Sequence, residues 1–463
     1  MTNIAIIEEL PKIIKKGEER FQEIANSSNT DYFLYEEIIA PKGLGDSHIN
    51  QFYQGDNLYV MERLLKNGFK GKIDLIYIDP PFMTKSNQDG RVTINDGEED
   101  HVIEHVAYED SWEKGIVSYL NMLCPRLYLM RELLSQKGTI YVHLDYRAVH
   151  YVKILLDCIF GQDNFLNEII WAYKSGGVSK KYYSRKHDNI LVYTKSKDYI
   201  FNPQKEKSYN RGFKPYRFKG VEEYEDDLGW YTLVNLKDVW QIDMVGRTSG
   251  ERVGYATQKP EKLLERIILT SSYENSIVAD FFAGSGTTGI VAERLNRRWI
   301  MADKSMLSGV TVKKRLIEKA SSYNVYRTCA RDKEVGELKL KVESIKKIEG
   351  IYDIVIELNS YSVNLEHLDI RKKYIQKIKD IQNRCSLALI DLIALDIDYD
   401  GQVPRLSLYC TRNRKAGGFN LTLKDISLRD GQKMYLKYID VFGREGFNVY
   451  EFTDGKVILC QER

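Results

Sequence analysis

The chain has 463 residues, 43% of them hydrophobic and 29% charged, and its net charge is +2. That length supports two or three domains around at least one large core, and the composition is that of an ordinary soluble globular protein. No run approaches the roughly 18 apolar residues of a membrane span, and the N-terminus lacks a signal-peptide core, so the cytoplasm is the expected compartment. The cysteines at 124, 158, 329, 385, 410 and 460 form no C-x-x-C pair, and the histidines form no H-x-x-H or H-E-x-x-H arrangement. Reduced, mostly buried thiols and no metal site are therefore expected.

Taken in chain order, residues 1–48 read as an N-terminal helical extension. An amphipathic helix from about Ile4 to Ala25, interrupted near Pro11, leads into a loop with Pro41, Gly43 and Gly45. Short β-branched apolar runs then alternate with helical patterns. The predicted strands are Ile73–Ile78, Thr139–Leu144, Ile169–Tyr173, Asn189–Thr194, Ile277–Phe282 and Trp299–Asp303. The predicted helices include Ser118–Ser135, Ala148–Ile159, Lys259–Leu269 and Gly286–Leu295. Such alternation specifies an α/β fold, a mostly parallel sheet with helices on both faces, here covering 49–196 and 256–326.

Residues 197–255 break that rhythm and read as an insertion, with a basic flank from 174. Between Lys174 and Lys219 there are thirteen Lys and Arg against three Asp and Glu, interleaved with Tyr182, Tyr183, Tyr209, Phe213, Tyr216 and Phe218. Charge and aromatic faces together suit phosphate neutralisation and base stacking, although a charge run by itself is also compatible with a solvated face. An acidic knot (Glu222, Glu223, Glu225, Asp226, Asp227) and the pair Trp230–Tyr231 follow. Beyond 327 the segments YDIVIEL, LALIDLIALDID and YLKYIDVF, with a Lys-rich helix near Leu368–Ile381, predict a separate, β-rich C-terminal domain at 327–463. Its role is not legible.

Asp79-Pro80-Pro81-Phe82 comes directly after the strand DLIYI. Ligands of open parallel sheets bind beyond the carboxyl ends of strands, which puts this tetrapeptide where chemistry takes place. An aromatic amine is a poor nucleophile because its lone pair is delocalised into the ring. Two acceptors on its N–H bonds, the Asp79 carboxylate and the Pro80 carbonyl, draw it toward a reactive pyramidal form. Prolines fix φ and bring no competing N–H, and Phe82 offers a face for a base taken out of its duplex. The same four residues are compatible with a plain turn. A second motif, Asp280-Phe281-Phe282-Ala283-Gly284-Ser285-Gly286-Thr287-Thr288, runs from a strand through a glycine turn into a helix. It lacks the lysine and spacing of a phosphate-binding loop. Asp303 ends the next strand, where a carboxylate can take a ribose diol. Thr257-Gln258-Lys259-Pro260 opens the helix just upstream and is either a wall of the same pocket or only a helix start.

In that order, D-P-P-F, T-Q-K-P and D-F-F-A-G-S-G-T-T resemble the β-class, site-specific adenine-N6 DNA methyltransferases. Further blocks, Q-G-D-N-L (54–58), S-Y-L-N-M-L-C-P-R-L (118–127), G-T-I-Y-V-H-L-D (138–145), F-G-Q-D-N-F-L-N-E-I-I-W (160–171) and R-K-H-D-N-I-L-V-Y-T-K (185–195), resemble type III restriction–modification Mod subunits. The resemblance implies a Rossmann-like fold dependent on S-adenosylmethionine. It makes Asp79, Pro80, Pro81 and Phe82 catalytic, and Asp56, Lys259, Pro260, Asp280, Phe281, Phe282, Gly284, Gly286, Thr287 and Asp303 cofactor-binding. Target recognition would fall at about 174–255, with Lys174, Lys180, Lys181, Arg185, Lys186, Arg211, Lys214, Arg217 and Lys219 on double-stranded DNA. A homodimer and a separate restriction subunit are further implications. Many relatives have Tyr where Phe82 stands, and either ring stacks. Rival readings are N4-cytosine methylation, whose motif usually begins with Ser, methylation of RNA or a protein glutamine, and a non-catalytic DNA-recognition subunit.

Overall fold

The computed structural model describes residues 6–27, 33–40, 50–83, 88–108, 112, 115–174, 178–246, 248–328, 336–365, 368, 370–412 and 421–462. Cys329 and the loop holding Pro41, Gly43 and Gly45 lie outside the described residues. Helix α1 (Ile6–Ala25) continues through Pro11, so the expected interruption does not occur. One lost amide donor is outweighed there by Leu10 and Ile13, both buried beside the proline.

After α1 come β1 (Phe33–Ile39), β2 (Gln51–Gln54), α2 (Asn57–Leu64), β3 (Ile73–Ile78) and a hairpin of β4 (Gln88–Asn95) and β5 (Asp100–Tyr108). Next are α3 (Ile116–Leu133), β6 (Leu134–Leu144), α4 (Val149–Phe160), β7 (Phe165–Ala172) and β8 (His187–Thr194). The inserted segment holds β9 (Lys205–Tyr209), β10 (Tyr224–Asp226), β11 (Gly229–Asn235) and β12 (Val239–Gln241). The chain then returns through α5 (Glu261–Ser271), β13 (Ile277–Asp280), α6 (Thr287–Arg294), β14 (Arg298–Asp303), α7 (Met306–Glu318) and β15 (Tyr323–Thr328). Beyond it lie β16 (Glu337–Ile348), β17 (Ile351–Ser362), α8 (Ile375–Cys385), β18 (Ile390–Asp396), β19 (Arg405–Leu406), β20 (Leu408–Thr411), β21 (Leu421–Ser427), β22 (Gln432–Asp440), β23 (Glu445–Thr453) and β24 (Lys456–Glu462).

The central sheet has the order β12-β7-β8-β6-β3-β13-β14-β2-β15-β1-β19. Its pairs are parallel except β6–β8, β7–β8 and β1–β15. The expected α/β sheet with two covered faces is thus present. β3 reads as one apolar run because both its faces are buried. Ile76 and Ile78 pack with Leu120, Leu123, Val152 and Leu156 on the side of α1–α4. Leu75 and Tyr77 pack with Leu263, Ile267, Val291 and Leu316 on the side of α5–α7. Each fully buried leucine or isoleucine contributes roughly 1.5–3 kcal/mol.

The N-terminal segment supplies more than a helix, since β1 joins the main sheet against β15. The inserted segment likewise returns β12 to the other edge, parallel to β7, while β10-β11-β9 form a small sheet of their own. The region beyond β15 is β-rich as expected. Its sheets β16-β17-β21 and β20-β18-β22-β23-β24 surround a third core, which also takes in Ile94 and Ile103 of the β4–β5 hairpin. Among the described residues, no helix is long and apolar enough to cross a membrane.

Candidate active site

Strands β3, β13 and β14 are consecutive neighbours, in register at Leu75 with Val278 and at Asp280 with Met301. Three acidic residues, Asp79, Asp280 and Asp303, therefore emerge side by side at the carboxyl edge of the sheet. Some two hundred residues separate the first motif from the second, yet one cavity receives both.

The glycine bend is shaped by backbone that L side chains adopt only at a cost. Gly284 has φ of 51° and Gly286 of 76°. Asp303 pulls this bend against β14, its Oδ2 accepting from the Gly284 amide at 2.8 Å and its Oδ1 from the Ser305 amide at 2.8 Å. Asp280 holds the next step of the turn, accepting from the Phe282 amide at 3.0 Å and from the Thr288 hydroxyl. Burial pushes the Asp280 carboxyl up to about 7, and burial also raises that of Asp303.

Lys259, reaching in from the start of α5, is ion-paired to Asp79 Oδ2, and its Nζ lies 5.1 Å from the centre of the Phe82 ring. Asp79 Oδ1 is buried and makes no hydrogen bond among the described residues. Asp56 caps α2 by accepting from the Leu58 amide at 2.8 Å. Arg126 donates to Asp56 Oδ1 at 2.7 Å and to Asn57 Oδ1 at 2.6 Å, and Asn57 in turn donates to the Phe281 carbonyl at 2.7 Å. This chain of contacts ties the G-D-N segment to the end of β13.

Of the residues singled out from the sequence, Asp56, Asp79, Pro81, Lys259, Asp280, Phe281, Phe282, Gly284, Thr287 and Asp303 line the cavity. Pro80, Phe82, Pro260 and Gly286 belong to the same loops but do not form its wall. Sequence reasoning gave no role to Tyr77, Trp112, Arg126 or Tyr255, which do line it. Arg126 and Tyr77 lie inside or next to quoted blocks, and that adjacency was the one available signal. Carboxylates set among aromatic walls suit a ligand that carries both positive charge and a flat heterocycle.

The basic stretch is a surface. Tyr182, Tyr183, Phe213, Tyr216 and Phe218 are exposed, Tyr183 almost wholly so at 99%. Lys174, Lys180, Lys181, Arg185, Arg211, Lys214, Arg217 and Lys219 are exposed, and Lys186 is half-buried. Two half-buried members of the acidic knot brace this surface: Glu223 accepts from the amides of Tyr216 and Arg217 at 2.8 and 2.7 Å, and Asp226 pairs with Lys207 at 2.6 Å. Arg185 stacks 4.0 Å above the ring of Tyr146, just past the end of β6, which connects the stretch to the edge that carries the cavity.

A family model described as "DNA methylase" matches residues 73–307. The chain is 28% identical to the type II methyltransferase M.EcaI of Enterobacter cloacae, over 70% of this chain and 82% of that protein. It is also 28% identical to the DNA adenine methyltransferase YhdJ of Escherichia coli, over 49% of this chain and 70% of that protein. A third relative, the StyLTI Mod subunit of a type III restriction–modification enzyme from Salmonella typhimurium, is 28% identical over 54% of this chain and 50% of its own length. These are the classes that the motifs resemble.

Proposed function

Because the chain belongs to the DNA methylase family, we propose that it moves a methyl group from S-adenosylmethionine to N6 of an adenine flipped out of double-stranded DNA. The observation that carries this reading is the state of Asp79. Lys259 anchors one carboxylate oxygen, while the other is buried without a hydrogen bond among the described residues, and Asp79 lines the same cavity as the glycine bend. A buried acceptor without a partner is costly to keep, and an incoming amine N–H satisfies it.

The donor set fits the cofactor. Asp303 and Asp56 suit its hydroxyl groups, Phe282 and Tyr255 its adenine, and the carboxylates its positive charge. When bound, S-adenosylmethionine supplies an electrophilic methyl on sulfur. The chain supplies the geometry: Asp79 Oδ1 and the Pro80 carbonyl accept the two amine N–H bonds, and Phe82 stacks against the base. Held this way, the nitrogen would take the methyl as its bond to sulfur breaks, leaving a neutral thioether and releasing one N–H proton, with no cysteine nucleophile and no metal required.

The exposed Lys, Arg and aromatic side chains between 174 and 219 hold the duplex through its phosphates, and the inserted segment reads the site. DNA is accordingly the substrate, in the cytoplasm. A separate restriction subunit is supported by the name of the StyLTI relative, and a homodimer by the resemblance alone. In a tritiated-methyl assay Asp79→Ala should abolish transfer, while calorimetry finds cofactor binding nearly unchanged. Transfer retained by this variant rejects the role of Asp79. Mass analysis of nucleosides from the methylated DNA names the base, and N4-methylcytosine there would overturn the adenine assignment.

A further inference from the structure

Behind the D-P-P-F loop, three adjacent strands bring together polar groups that the proposed transfer does not use. Tyr77 comes from β3, His143 from β6 and Asp188 from β8. The His143 side chain is fully buried. Its Nδ1 lies 2.8 Å from the Tyr77 hydroxyl and its Nε2 3.4 Å from Asp188 Oδ2. Tyr173 donates to the other Asp188 oxygen at 3.3 Å.

One proton arrangement satisfies every member: Tyr77 donates to Nδ1, and Nε2–H donates to Asp188. Burial holds the Tyr77 hydroxyl well above its ordinary range, so it remains a donor. The imidazole is thus fixed in both tautomer and plane. Two aromatic rings pack on it, Phe82 with ring centres 5.6 Å apart and Trp171 edge-on at 5.3 Å. Asp79 Oδ1, the acceptor without a partner, is 4.0 Å from Nδ1. The residue meant to orient the amine and the ring meant to stack the base therefore share one floor, which is this imidazole.

We propose that His143, locked by Tyr77 and Asp188, is a positioning residue for methyl transfer, setting the plane of Phe82 and the place of the Asp79 carboxylate. The inference rests on the methyltransferase reading and adds to it a polar network under the target base. Its removal moves the acceptor and the stacking ring without touching the cofactor cavity's glycine bend. A misplacement of about 1 Å in such a site lowers turnover on the order of 100-fold.

The test uses the full chain, S-adenosylmethionine and duplex DNA carrying its methylation site, with wild type, His143→Ala, His143→Gln and Tyr77→Phe compared. For His143→Ala, kcat should fall on the order of 100-fold, while KM for both substrates stays within about twofold. Gln keeps a donor toward Asp188, so His143→Gln should recover part of that loss. Tyr77→Phe removes one hydroxyl with little change of shape but leaves His143 Nδ1 buried without its donor, so its kcat should fall and its melting temperature drop modestly while the chain still folds, and the proposal does not depend on the Ala variant folding. Wild-type kcat in Tyr77→Phe and in whichever His143 variants fold would overturn the inference, as would a loss confined to KM. If wild-type protein itself methylates no DNA, it is the methyltransferase reading that fails.

Discussion

At Gly286 the backbone holds φ of 76°, and a methyl group there would lie 2.8 Å from Val312 Cγ2. Gly286→Ala therefore joins left-handed strain of about 1–2 kcal/mol to a clash with a buried side chain. A lower melting temperature and weaker S-adenosylmethionine binding by calorimetry should follow, and unchanged affinity would remove the bend from the site. Asp280 makes a different claim. Its carboxyl, ordinarily near 3.8, is carried by burial to about 7 in the folded chain. Between those values the folded protein keeps a proton that the unfolded chain has released, so this group lowers stability as pH rises from about 4 to about 7. Above that range its contribution is flat. Denaturant titrations of Asp280→Asn across the same range should show this slope reduced relative to wild type. Identical slopes would mean that the carboxyl titrates normally.

The β4–β5 hairpin follows the D-P-P-F loop yet finds its core elsewhere. Ile94 and Ile103 are buried with Leu389, Ile390 and Leu436 of the C-terminal sheets. Asp96 in its turn meets His101 at 2.7 Å and Arg384 at 3.2 Å, and Arg412 donates to the Thr93 carbonyl at 2.9 Å. Ile103→Ala should cost about 2–5 kcal/mol. Hydrogen exchange should then rise in the hairpin and in β18 together, and a rise confined to the hairpin would show that the two do not share one core. This element was not read from the sequence, because its alternation is carried by charged residues and its two apolar anchors find partners nearly three hundred residues later. The strands β3, β13 and β14 were legible for the opposite reason: each is a short apolar run ending in a motif. The Lys259–Asp79 pair and the network around His143 stayed hidden as well. Their members lie in blocks that could be quoted, but only strand order shows which blocks touch.

Across the whole molecule, β1, α7, β15 and the C-terminal sheets meet at a buried charge cluster. Lys313 reaches Glu37 at 2.8 Å and Glu445 at 2.7 Å, Lys437 reaches Glu445 at 2.5 Å and also pairs with Glu37, and Arg327 reaches Glu36 at 3.4 Å. Three carboxylates face three cations, so the acidic trio is already neutralised without a metal ion. Burial alone would lower the Lys437 ammonium, but the surrounding carboxylates outweigh it and hold it well above its ordinary value. Lys437→Met should therefore destabilise by about 3–5 kcal/mol, since it leaves three buried carboxylates facing only Lys313 and Arg327, with one negative charge uncompensated. A smaller loss in chemical denaturation would mean that water reaches the cluster. Because β1 pairs with β15 and β19 and meets the cations of this cluster, segments hundreds of residues further along must be synthesised before this strand can close its own sheet. Nascent chains halted short of residue 328, where β15 ends, are thus expected to depend on chaperones, their earliest strand still searching for an edge that has not yet been made.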